Sequence, residues 1–385
     1  MSRAMKTAQK SIALISPYAA SVVPFRGRLI RSLLDDGVKV FVLAPDYTTV
    51  TRNSIAALGA DTIEYTLNRT GINPFDDVST LKSLALFLRK SKPDVVLTYQ
   101  TKPNIYGTMA AKLSGVRKSY ALIEGLGFAF TQGESNIKKR VLEMILKRLY
   151  KYSLSYAENV FFLNPDDLSD FVNMGLVVRS KAVLLGGIGV DLDKWPPGDP
   201  VLQPLTFTLV GRLLKEKGVL EFIEAAKRVK LLHQKVKFLL IGPLDTNPGS
   251  VDRAYVLRWV DEGVIEWIPW TDDVRSYIGR TSVFVLPSYR EGVPRSTQEA
   301  MAMAKPIITT DVPGCRETVV NGVNGFLVPP RDAKALAAAM VKFINEPQQI
   351  ERMGRESRRL AEERFDEIKF NKKLIAHISK PWRAR

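Results

Sequence analysis

Two glutamates eight positions apart, Glu291 and Glu299, stand inside PSYREGVPRSTQEAMAMAKPIITTDVPGCRETVVNGVNGF (287–326). An ionised carboxylate only accepts hydrogen bonds, so a pair of them suits a hydroxyl-rich ligand such as a sugar or a ribose. Two cations, Arg212 and Lys217, lie in GRLLKEKG (211–218), with Gly218 behind them. Arg holds phosphate through a planar fork and Lys as a point charge, so together they can hold a diphosphate. The loop lacks the Gly-Lys-Ser/Thr ending of a Walker A motif. Taken singly, two acids on a helix start or two cations in a loop are usually a solvated surface. The whole 40-residue block is much harder to explain that way.

These side chains need elements to position them. VFVLP (283–287) reads as a buried strand closed by proline, and Ser296–Ala304 as a helix with Pro306 past its end. Glu291 then sits on a loop at the carboxyl end of a strand, and Glu299 roughly two turns farther on. Ligands of open α/β sheets bind at that end, and a helix amino terminus offers N–H groups to phosphate. The strand LTFTLVG (205–211) delivers Arg212 and Lys217 in the same way. Upstream, SIALIS (11–16), VKVFVLAP (38–45), DVVLTY (94–99), SYALIE (119–124), NVFFLN (159–164) and KAVLLG (181–186) read as strands, mostly with helical patterns between them. KVKFLLIG (235–242), VIEWI (264–268) and PIITT (306–310) continue the series downstream, and 333–380 reads mainly as helix. This alternation predicts an α/β fold with parallel sheets covered on both faces. A length of 385 residues suggests two domains, and KWPPGDPVLQP (194–204), with four prolines, is the best linker.

Other stretches leave alternatives open. EGLGFAF (124–130) brings Glu124, Gly125 and Gly127, whose glycines permit close backbone approach to a ligand. It lacks the third glycine of a dinucleotide fingerprint, and a plain strand-to-helix turn is equally compatible. KPNIYG (102–107), with Lys102 and Asn104, opens a helix after the strand at 94–99. In IKKRVLEMILKRLYK (137–151), Ile137, Val141, Met144, Ile145 and Leu149 form an apolar stripe, read as mostly core. Lys138, Lys139, Arg140, Lys147, Arg148 and Lys151 form a basic shoulder suited to an anionic membrane. Asp191 and Asp193 resemble a metal-carrying Asp-x-Asp, but no further ligand group accompanies them.

Composition narrows the classes. Apolar residues at 45% and charged residues at 25% permit a full core. No apolar run of 18 residues offers a membrane span, and the short apolar part of the amino-terminal stretch continues as a strand, which argues against a signal peptide. A single cysteine, Cys315, excludes an intrachain disulfide and fits a reducing cytoplasm. Two histidines make a His/Cys metal site an unpromising reading, so no metal is expected. Net charge is +16, and residues 1–156 hold 23 Lys/Arg against 11 Asp/Glu. Such a surplus points to an anionic partner: membrane, nucleic acid or phosphorylated substrate. Nucleic acid is disfavoured, since no helix-turn-helix, RNP or zinc signature is present.

Arg212 and Lys217, the E-x7-E spacing of Glu291 and Glu299, and PGCRETVVNGVNGFLVPP together resemble the retaining GT-B glycosyltransferases of family 4. The likeness covers essentially the whole chain and is strongest over 205–332. NPF (73–75), KPNIYG and EGLG add a narrower similarity to bacterial N-acetylgalactosaminyltransferases acting on undecaprenyl-diphosphate-linked sugars. The resemblance implies two Rossmann-like domains facing across a cleft: 1–194 for the acceptor, 205–365 for the nucleotide sugar, and a helix at 366–385 crossing back. It implies a UDP-hexose donor and an undecaprenyl-diphosphate-linked saccharide as acceptor, with no cofactor, on the inner face of the cytoplasmic membrane. Arg212, Lys217 and Glu291 would carry catalysis. Gly211, Gly242, Gly292, Val293, Pro294, Arg295, Ser296 and Glu299 would hold the donor. Glu124, Gly125, Gly127, Lys102 and Asn104 are the acceptor-side candidates. Many relatives carry a histidine near the end of the strand at 119–124, where this chain has Glu124. A UDP-sugar 2-epimerase on the same fold and a basic nucleic-acid-binding protein are the rival readings.

Overall fold

The computed structural model describes residues 9–68, 73–126, 137–245 and 249–383. The chain divides into two compact units, 1–185 with 368–385, and 186–367. The first unit is built on seven strands: β1 Ser11–Ile15, β2 Lys39–Ala44, β3 Asp61–Glu64, β4 Val95–Tyr99, β5 Lys118–Ile123, β6 Asn159–Phe162 and β7 Ala182–Leu184. They lie in the order β3-β2-β1-β4-β5-β6-β7, and every pairing is parallel. The central strands are apolar on both faces because helices cover both; Ile12 to Ile15 are wholly buried. β3 escapes a reading from apolar runs because DTIE is a half-exposed edge.

Strand order reverses between β1 and β4, since the chain first adds β2 and β3 on one side and then resumes on the other. That reversal opens a crevice at the carboxyl ends of β1 and β4. The helix Pro74–Ser91 shows how NPF is used: the Asn73 side chain accepts from Phe75 N–H, with Pro74 at the first helical position. This part of the narrower likeness starts a helix. The helix Glu367–Ile378 returns to the first unit, where Tyr120 Oη donates to His377 O (3.3 Å) and the His377 ring lies edge-on to Phe161.

The second unit holds β8 Thr206–Val210, β9 Lys237–Ile241, β10 Glu266–Ile268, β11 Val283–Leu286, β12 Ile307–Thr310 and β13 Gly325–Val328. Their order is β10-β9-β8-β11-β12-β13, again all parallel, with the reversal between β8 and β11. The proline-rich stretch belongs to this unit. Prolines donate no N–H, and side-chain cations take up the neighbouring carbonyls: Arg275 holds Lys194 O (3.0 Å), Arg358 holds Trp195 O (2.9 Å) and Lys305 holds Asp199 O (3.2 Å). The unit boundary falls instead after Leu185. Val190 N–H there donates to Phe365 O (2.8 Å), and Glu367 N–H to Val190 O (3.2 Å).

Candidate active site

The loops after β8 and β11 flank the crevice of the second unit, and they carry the residues singled out by type and spacing. Lys217 Nζ lies 2.5 Å from Glu291 Oε1, and Ser288 Oγ donates to the same oxygen (2.7 Å). Arg212 pairs instead with Asp245 Oδ2 (2.5 Å), on the loop after β9, and more than half of its side chain is exposed. Asp245 carries no motif; its signal is its place three residues beyond Gly242 at a strand end. Gly242 has φ 140°, and a Cβ there would fall 2.0 Å from Gly211 O, so the ends of β8 and β9 meet without side chains between them.

The remainder of the 40-residue block turns out to be largely support for Glu291. Glu291 N–H donates to Pro313 O (3.1 Å). Gly314 lies at φ 78° with its Cβ position 2.2 Å from Glu291 O, so any side chain there would push the two loops apart. Thr309 Oγ1 donates to Leu286 O (2.6 Å), and Thr310 Oγ1 to Ser288 O. Cys315 is fully buried, and burial pushes its thiol up to about 12, which makes it inert packing. Asn324 closes the following turn through Val320 N–H and Thr318 O.

Glu299 lies on the helix Arg295–Ala302, with Oε1 accepting from Arg295 Nε (3.0 Å). Burial raises its pKa against the opposing pull of Arg295, and among the described residues Oε2 has no partner. This helix begins at Pro294 with no side-chain cap, and the helix Val219–Lys230 begins at Gly218 likewise. The helices at Arg253–Asp261, Val274–Gly279 and Ala333–Asn345 are capped by Asp252, Asp273 and Asp332. Two uncapped starts thus follow the two loops of the crevice, and the helix Gln348–Arg364, away from those loops, begins at Pro347 without a side-chain cap as well. Ser296 has a tethering role as well, since its hydroxyl donates to Val210 O (3.1 Å) at the end of β8. Glu216, beside Lys217 and Glu291, was not singled out from sequence; burial raises its pKa. Gly292 and Val293 complete the turn into the helix, and Val293 O is held by Gln298 Nε2 (3.0 Å).

In the first unit the structure brings only some of the acceptor-side candidates together. Lys102 is tied to Asp77 (2.9 Å) on the helix Pro74–Ser91. Asn104 is fully buried, accepting from Thr98 Oγ1 (2.7 Å) and donating to Leu122 O (2.9 Å), so it staples β4 to β5. Asn104 is therefore not presented to a ligand, whereas the Lys102 side chain stays partly exposed. Gly127 lies outside the described residues. Glu124, one position beyond β5 and followed by Gly125 at φ 134°, forms an ion pair with Arg26 of the helix Val22–Asp35. The Arg26 guanidinium also lies over the Tyr99 ring, 4.6 Å from its centre. Burial pushes the Tyr99 phenol up to about 12, with Arg26 pulling the other way.

The helix Ile137–Ser155 corrects the expectation that its stripe is mostly core. Ile137 (80%), Val141 (44%) and Met144 (46%) are exposed, together with Tyr152. Packing is carried by Leu146, Tyr150 and Leu154, outside the stripe, and by Leu149 at its edge. Arg140, Arg148 and Lys151 are exposed with the apolar residues, whereas Lys147 is engaged by Glu143 (2.6 Å). The side chains of Lys138 and Lys139 lie outside the described residues. The Asp191 carboxylate accepts from the backbone of Asp193 (3.2 Å) and Lys194 (3.3 Å), the geometry of a local turn.

Two family models match the chain, "Glycosyl transferases group 1" over 204–346 and "Glycosyl transferase 4-like" over 11–164. The chain is 30% identical over 343 residues to the N,N'-diacetylbacillosaminyl-diphospho-undecaprenol alpha-1,3-N-acetylgalactosaminyltransferase of Campylobacter jejuni, covering 85% of this chain and 87% of that one. It is 27% identical over 289 residues to the UDP-Gal:alpha-D-GlcNAc-diphosphoundecaprenol alpha-1,3-galactosyltransferase of Escherichia coli, covering 71% and 72%. Among solved structures, sucrose-phosphate synthase of Thermosynechococcus elongatus superposes with a TM-score of 0.81 at 19% identity, covering 98% of this chain and all of that one. HepE of Anabaena, in complex with UDP and glucose, gives 0.76 at 15%, covering 96% and 99%. These likenesses establish the GT-B fold.

Proposed function

Since the chain belongs to the group 1 glycosyl transferases, we propose that it moves a hexose from a UDP-sugar to an undecaprenyl-diphosphate-linked saccharide, with retention at the anomeric carbon. An N-acetylhexosamine or galactose is the proposed cargo, by analogy with the activities of the two relatives. The observation that carries the reading is the contact of Lys217 with Glu291 at the β8/β11 crevice, between two helix starts that no side chain caps.

The steps follow from charge. The bond from the donor C1 to the β-phosphate oxygen breaks, its electron pair passing to the departing diphosphate. Lys217 and Arg212 oppose that growing charge, and preorganised groups of this kind are usually the largest catalytic contribution. An acceptor hydroxyl attacks C1 from the same face and gives its proton to the departing phosphate oxygen, so no protein nucleophile or metal ion takes part. Glu291 holds donor-sugar hydroxyls and orients Lys217. Glu299, through Oε2, accepts from the ribose. Gly292 to Ser296 bring backbone close to phosphate and sugar.

The acceptor is met at a membrane. The exposed Ile137, Val141 and Met144 enter the boundary of the lipid, and Arg140, Arg148 and Lys151 face anionic headgroups, holding the protein on the inner face of the cytoplasmic membrane. The deciding experiment incubates the purified protein with a panel of nucleotide sugars and lipid-linked saccharides and follows nucleotide release and product mass. Saccharide-dependent UDP release is expected. Binding of no nucleotide sugar would end the proposal.

A further inference from the structure

The Arg26–Glu124 pair is an expensive feature with no evident structural return. Arg26 is 2% exposed and Glu124 17%, so the pair runs from the interior of the first unit to its surface with the carboxylate at the open end. Removing a guanidinium from water costs several kcal/mol, and an apolar residue of similar volume usually fills such a position at lower cost. The geometry is also not the two-pronged one that would repay burial best. Arg26 gives one nitrogen to Glu124 Oε1 and another to Phe25 O (2.9 Å), and its Nε is buried without a partner. Glu124 uses one oxygen; among the described residues Oε2 has none.

The pair stands at the topological reversal of its sheet. Tyr99, the last residue of β4, lies flat beneath Arg26, and Glu124 follows β5 directly. Three elements thus converge on one partly exposed carboxylate at the place where α/β sheets take ligands. A carboxylate accepts and never donates, so its ligand must bring O–H or N–H groups. It repels phosphate, so the lipid diphosphate lies elsewhere.

We propose that Glu124 is a specificity-determining contact for the acceptor's terminal sugar, with Oε2 receiving a hydrogen bond from a pyranose hydroxyl, and that buried Arg26 is the positioning residue that aims it. This rests on the transferase reading above and adds the atom that recognises the acceptor. The experiment measures acceptor KM, kcat and, by calorimetry, nucleotide-sugar Kd in the full-length protein. Glu124→Gln keeps the shape and loses the charge, and its acceptor KM should rise about tenfold or more with donor Kd unchanged, since a hydrogen bond to a charged group is lost. Glu124→Asp should recover part of that loss. Arg26→Met should raise acceptor KM as well, and Arg26→Met/Glu124→Gln together should be no worse than the more impaired single variant, because Arg26 acts through Glu124. An acceptor KM within twofold of the parent in Glu124→Gln overturns the inference and leaves the transferase reading standing. A matching loss of donor affinity also overturns it, by assigning Glu124 to the donor. A parent that transfers to no saccharide sinks both.

Discussion

The two sheets reverse their strand order in the same way, yet the two crevices are furnished in opposite manners. In the second unit the paired charges come from loops already prominent in the sequence: Lys217 meets Glu291 and Arg295 meets Glu299. In the first unit the pair is Arg26 with Glu124, 98 positions apart and outside any shared motif, and it is the more deeply buried cation that does the holding. One crevice pairs its carboxylates with cations from neighbouring loops or the same helix; the other sets a single carboxylate on a buried guanidinium. The two relatives act on different lipid-linked acceptors, N,N'-diacetylbacillosaminyl-diphospho-undecaprenol in one and alpha-D-GlcNAc-diphosphoundecaprenol in the other.

The sharpest way to break this contrast is to remove the cation that links the two loops of the second crevice. Lys217→Ala should lower turnover roughly 10²–10³-fold, the cost of losing one preorganised group at a developing charge. The effect should exceed that of Arg212→Ala, because Arg212 is more exposed and its loss leaves the Glu291 contact intact. Steady-state rates with folding checked by circular dichroism decide it; near-normal rates in both variants remove the phosphate role. Turnover should also persist in EDTA, and loss of rate restored by Mn²⁺ or Mg²⁺ would revive Asp191 and Asp193.

Legibility followed the same divide. β8 and β11 are short apolar runs ending in Gly or Pro, so their loops could be placed from sequence, and the E-x7-E spacing then marked Glu291 and Glu299. The pairing of Lys217 with Glu291 could not be read, since it depends on β8 and β11 being neighbours. Arg26 was invisible because it sits in VVPFRGRLIR among apolar residues, where a cation reads as surface. Asn104 misled for the opposite reason: a polar side chain in a strand-to-helix turn looks functional until both its bonds prove to be backbone and threonine inside the sheet. The stripe on 137–155 misled because periodicity identifies an apolar face without saying whether anything covers it.

That uncovered face tests whether the first unit meets its ligand at a surface. Replacing Arg140, Arg148 and Lys151 by Glu should weaken binding to anionic vesicles by on the order of a hundredfold at low salt, since each basic residue near such a surface contributes about 1 kcal/mol. Ile137→Ser with Met144→Ser should weaken it further at high salt, where screening has removed the charge contribution. Activity on a short water-soluble acceptor should be unaffected. Sedimentation equal to the parent's in both variants places the membrane face elsewhere.

Lys305 tests whether the proline-rich stretch is held by the second unit. It is 1% exposed, and burial lowers its pKa from 10.5 to about 8 while its ammonium holds Asp199 O and Gly279 O. The folded protein therefore binds fewer protons here than the unfolded chain between about pH 8 and 10.5. Stability carried by this group rises with pH across that window and is at its lowest below it. Thermal melts of Lys305→Met against the parent should show the parent gaining relative Tm from pH 8 to 10. Parallel Tm profiles would mean the ammonium is solvated and the stretch loosely held.

The smallest effect concerns Glu299, and it separates the two carboxylates most finely. Burial raises its pKa above the ordinary 4.5, with Arg295 offsetting only part of the rise. The carboxylate consequently takes up its proton at a higher pH than an exposed glutamate would. Folding favours the protonated form, so the stability linked to this group is present below the ordinary value and declines as pH rises through the raised one. Donor binding runs the other way. Once protonated, Glu299 loses an acceptor site and weakens its pair with Arg295, so nucleotide-sugar affinity should fall a few-fold on acidification, beginning above pH 4.5. A partial loss is expected because a hydrogen bond to a charged group is worth about 1.5–3 kcal/mol and only a fraction of the sites is protonated in the accessible range. In Glu299→Gln the donor Kd should be weaker at neutral pH and flat over the same interval. Calorimetric titrations from pH 7 to about pH 5 compare the two. A parent Kd that stays constant while the variant's is weaker would keep Glu299 as a donor contact but remove its burial as the cause of any acid sensitivity. Equal affinities for parent and variant at every pH would take Glu299 out of the donor site and leave Glu291 as the carboxylate of that crevice.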